Sequence, residues 1–364
     1  MSTPIQGLWA GSGGKPMSEY HGAFLPEYYS NALAEHHAVR KAAGLFDFSF
    51  RARFSATGSD RVRFLHGMVS NDVKGLTPGR GVYATLLDVR GHILSDLRIY
   101  CCEDRFLVDT DADLIDKALG ALNHYNIGGR TPLERLGLRA LSIQGPQAGR
   151  ILNEELQIPV PGAEDFSHVS VRFGGYPLHL VRVSSTGEEG FELWASEEAI
   201  KQAWNALVDR GQKHGLLPCG TQALETLRIE AGIAAYGSEL GEDTLPLEAG
   251  LLNALSFTKG CYIGQEIVER ARSRGHVNWK LAGLVVDAAQ SPLPGQELLK
   301  DDKERGEITS ACASPTLQKN IALAYLRREV SDPGTTLTLP TGGEVRVTPL
   351  PFYSREPEPD ASGN

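Results

Sequence analysis

The chain has 364 residues, 36 Lys and Arg against 45 Asp and Glu, and a formal net charge of −9. That length suits two or three domains, and 41% hydrophobic with 22% charged residues is a globular composition with enough apolar surface for a sizeable core. The acidic balance excludes a general nucleic-acid or membrane-surface role, and no run approaches the roughly 18 apolar residues of a membrane span, so a soluble cytoplasmic protein is expected.

Residues 1–17 are rich in Gly, Ser and Pro and are expected to be disordered. Their GSGGKP lacks the spacing and the preceding strand of a phosphate loop. From Arg51 short strands alternate with single helices. ARFSA reads as a strand, followed by a helical run with Val62, Leu65 and Val69 on one face. VYATLLD, HILSDLRIYCC and RFLVDT read as an antiparallel meander, and DADLIDKALGALNHYNI as an amphipathic helix. FSATGSDRVRFL and LSIQGPQAGRIL share the order strand, glycine, helix, which suggests an internal duplication or a generic corner used twice. Further strands fall at Val169–Phe173, Tyr176–Val183 and Gly190–Trp194. Ser196 then caps a helix whose buried stripe is Ile200, Ala203, Trp204, Leu207 and Val208. TQALETLRIEAG forms another helix, ending at Gly232. After Asn278 short strands and turns predict a small all-β unit, and the tail 354–364 is expected to be disordered.

Five cysteines with no CxxC pair fit a reduced protein, and no Cys or His cluster stands at metal-ligand spacing, so no metal site is expected. HExxH, GxSxG and a strand-borne GxGxxG are absent. In KGCYIGQEIVERARSRG, Cys261 precedes a short helix predicted over 263–272 and lies two residues from Lys259, a setting that favours a thiolate; a small buried thiol is the alternative. In STGEEGFELW, alternation puts Glu192 and Trp194 on one strand face, where they suit a heteroaromatic ligand or face solvent. Arg228 borders the stripe Leu224, Leu227 and Ala231 and can meet an anion or a structural acid. Asp96 sits inside an apolar-rich strand.

Taken together, AGLFDFSFRARFSATGSDRVRFLHGMVSND, STGEEGFELW, LRIEAGIAAYGSEL and LPLEAGL resemble the T-protein of the glycine cleavage system, a tetrahydrofolate-dependent aminomethyltransferase. KGCYIGQE is similar to the signature of a related branch, the YgfZ family of folate-binding proteins that support iron–sulfur enzymes, including tRNA-modifying ones. The resemblance implies an α+β fold: a three-lobed cloverleaf around a central folate hole, with residues 18–277 forming two interleaved lobes and 278–353 a C-terminal β-barrel. It also implies tetrahydrofolate as ligand, Asp96 at the catalytic position, Glu192 on the pterin, Arg228 on the folate and Tyr83 lining the hole. Ser95 stands where the T-protein has a second aspartate, and Ser185 where it has a tyrosine. With the cysteine block, these departures predict a folate-binding accessory protein acting on iron–sulfur clients, with Cys261 as a functional thiol and little aminomethyl transfer. The transferase itself is the alternative.

Overall fold

The computed structural model describes residues 16–273, 277–287 and 291–355. The expectations of disorder for the N-terminus and the tail fall almost wholly outside these ranges.

A hairpin of β1 (Met17–Tyr20) and β2 (Ala23–Pro26) precedes α1 (Ala32–Lys41) and β3 (Ala43–Asp47). The first lobe follows as β4 (Arg51–Ala56), α2 (Arg61–Met68), β5 (Gly81–Leu87), β6 (Ile93–Cys101), β7 (Phe106–Asp111), α3 (Ile115–Tyr125) and β8 (Leu133–Leu136). The second runs through β9 (Arg139–Gln144), α4 (Ala148–Glu155), β10 (His168–Phe173), β11 (Tyr176–Arg182), β12 (Gly190–Ala195), α5 (Glu197–Gly211), β13 (Leu216–Cys219) and α6 (Thr221–Glu230). After α7 (Gln265–Ser273) come β14 (Trp279–Asp287), β15 (Glu297–Lys300), β16 (Lys303–Ser314), β17 (Lys319–Arg327), β18 (Thr336–Thr338) and β19 (Glu344–Thr348).

The first lobe holds a sheet in the order β5-β6-β7-β4-β8, the second a sheet in the order β10-β11-β12-β9-β3-β13. Within them β5-β6-β7-β4 and β10-β11-β12-β9 are the same arrangement, reached through the same succession of strand, helix, three-stranded meander and helix. The likeness of FSATGSDRVRFL to LSIQGPQAGRIL is therefore one of topology as well, which favours duplication over a recurrent corner.

Each sheet turns one apolar face to its own helices. Phe54, Leu97, Ile99 and Val108 pack under Leu65, Met68, Ile115 and Leu122. Leu141, Ile143, Leu180, Phe191 and Leu193 pack under Ile151, Leu152, Ile200, Trp204 and Leu207. Each such side chain stabilises the fold by roughly 1.5–3 kcal/mol. The other two faces meet each other, with Tyr100 and Leu107 against Phe46, Val181, Val183 and Trp194. β14–β19 close into a six-stranded barrel in the order β14-β17-β16-β15-β18-β19, filled by Leu284, Leu298, Ile308, Leu326, Val345 and Val347. It leans on α6 through Ile229, Ile321 and Leu323. The α+β architecture with a terminal barrel is the one expected. No described helix is long and apolar enough to cross a membrane.

Candidate functional site

Strand alternation decides which side chains reach the junction between the sheets. In β6, Ile93, Leu97 and Ile99 are buried, and Leu97 and Ile99 turn to the helices; Asp96 and Arg98 turn inward. Arg51 and Arg53 of β4 and Asp109 and Asp111 of β7 do the same. Burying these charges is tolerable only because they pair. The Arg51 guanidinium donates to Asp109 and, at 2.6 Å, to Asp111. Arg53 Nε lies 2.8 Å from Asp109 Oδ1 and its Nη2 3.5 Å from Glu192 Oε2. Arg98 Nη1 donates to Glu192 Oε1 at 2.6 Å, and Trp194 Nε1 donates to Glu192 Oε2 at 2.9 Å. A chain of arginines and acids thus crosses from one sheet to the other.

In front of this chain lies a cavity of about 370 Å³, lined among others by Tyr20, Phe50, Tyr83, Asp96, Arg98 and Phe166. The Tyr83 hydroxyl donates to Asp96 Oδ2 at 3.2 Å, while the buried Asp96 Oδ1 has no hydrogen-bond partner. Burial, and then the Asp111 carboxylate, push Asp96 above the usual carboxylate range against the pull of Arg51 and Arg98. Burial and the Asp96 charge raise Tyr83, which keeps its proton to donate. The Tyr83 and Phe166 rings lie within 9° of parallel with centroids 6.4 Å apart, so the wall suits a flat ring system. Ser185 also lines the cavity, with a buried Oγ that has no partner.

Of the residues singled out in the sequence, Tyr83, Asp96 and Arg228 therefore line one cavity. Glu192 stands behind it. Alternation did place Glu192 with Trp194, but the side chain is fully buried and its two oxygens are held by Arg98 and Trp194. Arg228 is engaged as well: it donates to Glu225 Oε2 at 2.8 Å, Glu239 Oε2 at 3.0 Å and Ser310 Oγ at 2.8 Å, tying α6 to the barrel. Arg51, Arg98 and Asp111 escaped the sequence reading. Their signal is the alternation of charge in RAR, DLR and DTD, invisible until the three strands are known to share an inner face.

Cys261 is exposed, as favoured, and sits four residues before α7, which begins two residues later than predicted. Its neighbour Lys259 has another task. The ammonium donates to the carbonyls of His66, Val69 (2.6 Å) and Asn71 (3.0 Å), closing the C-terminal end of α2. Gly264 has φ +81°, and a Cβ there would come within 2.7 Å of the Asp88 carbonyl. The lysine and second glycine of KGCYIG thus dock a loop onto the first lobe.

Two topologically repeated sheets meeting at a charged cavity, with a six-stranded barrel packed on the last helix, define a T-protein-type molecule. Residues 9–259 match the family described as "GCVT N-terminal domain", and residues 280–354 match "Glycine cleavage T-protein C-terminal barrel domain". The aminomethyltransferase of Halalkalibacterium halodurans is 34% identical over 359 residues, covering 97% of this chain and 98% of the relative. That of Bacillus subtilis is 33% identical over 360 residues, covering 97% and 99%. The crystal structure of glycine cleavage system aminomethyltransferase T from Bartonella henselae superposes with a TM-score of 0.88 at 25% identity, covering 97% of this chain and 98% of that one.

The chain belongs to the glycine cleavage T-protein family. The folate expected from either branch stands; the assignment to the YgfZ branch and the iron–sulfur accessory role do not. Full-length identity to aminomethyltransferases overturns both. The structural reasons are local. The KGCYIG block is spent partly on loop docking. Ser95, read as a lost acid, points away from the cavity: it is fully buried, with Oγ 2.8 Å from Thr110 Oγ1 on the helix side of the sheet. An acid at position 95 would not reach the cavity, so its absence says nothing about transfer.

Proposed function

We propose that the protein is a tetrahydrofolate-dependent aminomethyltransferase of glycine-cleavage type. The methylene carbon of an aminomethyl group held on a carrier gains bonds to folate nitrogens. Its bonds to the carrier and to the amine break, and the protons given up by the folate leave on ammonia and on the carrier. The observation that carries this reading is Asp96. It is a carboxylate in the cavity, with one oxygen oriented by Tyr83, the other free, and a proton affinity raised by burial. Such a group can exchange a proton with a folate nitrogen or a departing amine. The cavity supports a reduced folate as the acceptor. Its volume lies in the usual range for small-molecule sites, its walls carry near-parallel aromatic rings, and the Asp96 and Ser185 oxygens are unpartnered. Arg98, fixed by Glu192, supplies positive charge at the same wall.

Tetrahydrofolate-dependent ammonia release from an aminomethyl-loaded carrier tests this directly. The wild-type chain should turn over, and Asp96→Asn should lose about 10²–10⁴-fold in rate while binding folate. No release from the wild type at saturating folate, or an undiminished rate in Asp96→Asn, overturns the reading.

A further inference from the structure

Away from the cavity, at the outer edge of the second sheet, the fold brings together three side chains that sequence spacing keeps apart. Cys102 follows the last residue of β6 in the first lobe; His168 opens β10 and His179 lies in β11 of the second. A donor atom from each lies within 4.8 Å of the other two. His168 and His179 are both more than nine-tenths buried, their ring centroids 4.7 Å apart.

The surrounding hydrogen bonds place the proton on His168 and leave one nitrogen of His179 without a partner. His168 Nε2 lies 2.9 Å from the Cys101 carbonyl, which can only accept, so this nitrogen is the donor and Nδ1 keeps its lone pair. His179 Nδ1 meets Ser170 Oγ at 3.1 Å, while His179 Nε2 is buried without any partner. An orphaned imidazole nitrogen in a protein interior is costly, because nothing replaces the water it has lost. Histidines that bind metals are held in this way, one nitrogen anchored to a carbonyl or hydroxyl and the other presented to the ion. Cys102 adds a thiol on the side nearer solvent.

We propose that Cys102, His168 and His179 form a zinc site that clamps the first lobe to the second. One thiolate and two imidazoles are a borderline-soft donor set that suits Zn²⁺ and leaves one tetrahedral position for water. Zinc–ligand bonds of about 2.0–2.3 Å place tetrahedral donors roughly 3.4–3.8 Å apart, so the three atoms need close by only about 1 Å. Binding displaces the thiol proton to solvent and changes no oxidation state. Neither the cavity residues nor the proposed transfer chemistry takes part. The role is structural: His168 already bonds the backbone of the first lobe, and the ion would make that link a coordinate one.

Co²⁺ is the spectroscopic probe, used on the full-length protein with Cys261→Ser in the background to remove the exposed thiol. Stoichiometric Co²⁺ should give the intense visible bands of a tetrahedral thiolate site, lost on adding Zn²⁺. Cys102→Ser should abolish the thiolate charge-transfer band, and His179→Gln should weaken Co²⁺ binding by about 10-fold or more while the apo-protein folds as before. Zn²⁺ at a hundredfold excess over its dissociation constant should raise the folded-to-unfolded ratio about 100-fold, and Cys102→Ser should lose that gain. Absence of a tetrahedral Co²⁺ spectrum, or one that survives in both Cys102→Ser and His179→Gln, refutes the site. The second result would assign the ion elsewhere, such as the surface group Glu154, Glu155 and His214.

Discussion

Glu192→Gln probes the charged chain behind the cavity. The substitution keeps the shape of the side chain and removes one negative charge from a place with no solvent. In the native protein Arg51, Arg53 and Arg98 are set against Asp109, Asp111 and Glu192, three charges of each sign. Loss of Glu192 leaves one guanidinium charge unbalanced, and Arg98 loses a 2.6 Å partner. Breaking a buried ion pair from one side costs about 3–5 kcal/mol. The amide oxygen can still accept from Arg98 or Trp194, so the lower end, about 3 kcal/mol, is expected. For a protein of this size that lowers Tm by roughly 4–6 °C. Differential scanning calorimetry and urea unfolding measure it, with tetrahydrofolate titration on the same sample. A Tm within about 1 °C of wild type, accompanied by a tenfold loss of folate affinity, would refute the reasoning: Glu192 would then be a direct ligand contact with no structural cost.

Four further outcomes are expected. Asp96→Asn should be more stable than wild type at pH 7, because a carboxyl raised by burial is favoured neutral in the fold; the gain should shrink as pH falls from neutral toward about 4, as the folded carboxyl takes up its proton, and be gone below about 4, where the unfolded carboxyl is protonated too, and urea midpoints across that range check it. Glu230, which burial alone would raise, is brought down to about 2 by hydrogen bonds from His36, Ser314 and Arg40; its contribution of roughly 2–3 kcal/mol should be present above about pH 4.5 and lost as pH falls toward 2, and Glu230→Gln should flatten that acid limb. Iodoacetamide should label Cys261 first, since it alone is exposed while burial pushes Cys102 up to about 11 and Cys312 up to about 12; mass spectrometry of tryptic peptides reads the order. Lys259→Met should cost about 1.5–3 kcal/mol and speed hydrogen exchange across residues 256–264, because three carbonyls lose a charged donor.

Much of the fold was legible because each lobe carries its own local pattern. Burial alternates along β6 from Ile93 to Arg98, and Ser196 accepts from Ala199 N as the cap of α5 where its sequence context placed it. Asp96 was legible as an acid out of place in an apolar strand. Its partners were not, since Arg98, Asp111 and Glu192 acquire meaning only when two sheets from distant parts of the chain face each other. The same holds for Cys102, His168 and His179, separated by 66 and 11 positions. The cysteine block misled for a different reason. A short motif of unusual composition resembles a reactive site, whereas Lys259 and Gly264 answer to backbone geometry, and Ser95 lies on the face of β6 turned from the cavity.

Arg228 lines the central cavity and also a second cleft of about 1080 Å³ beside the barrel, and its guanidinium is shared among α6, Glu239 and Ser310 of β16. Any ligand that draws on this guanidinium must compete with the contacts that seat the barrel. Occupancy and barrel position are then two sides of one equilibrium, and linkage makes the coupling reciprocal: a partner that shifts the barrel changes affinity in the cavity by the same factor by which the cavity ligand changes affinity for that partner.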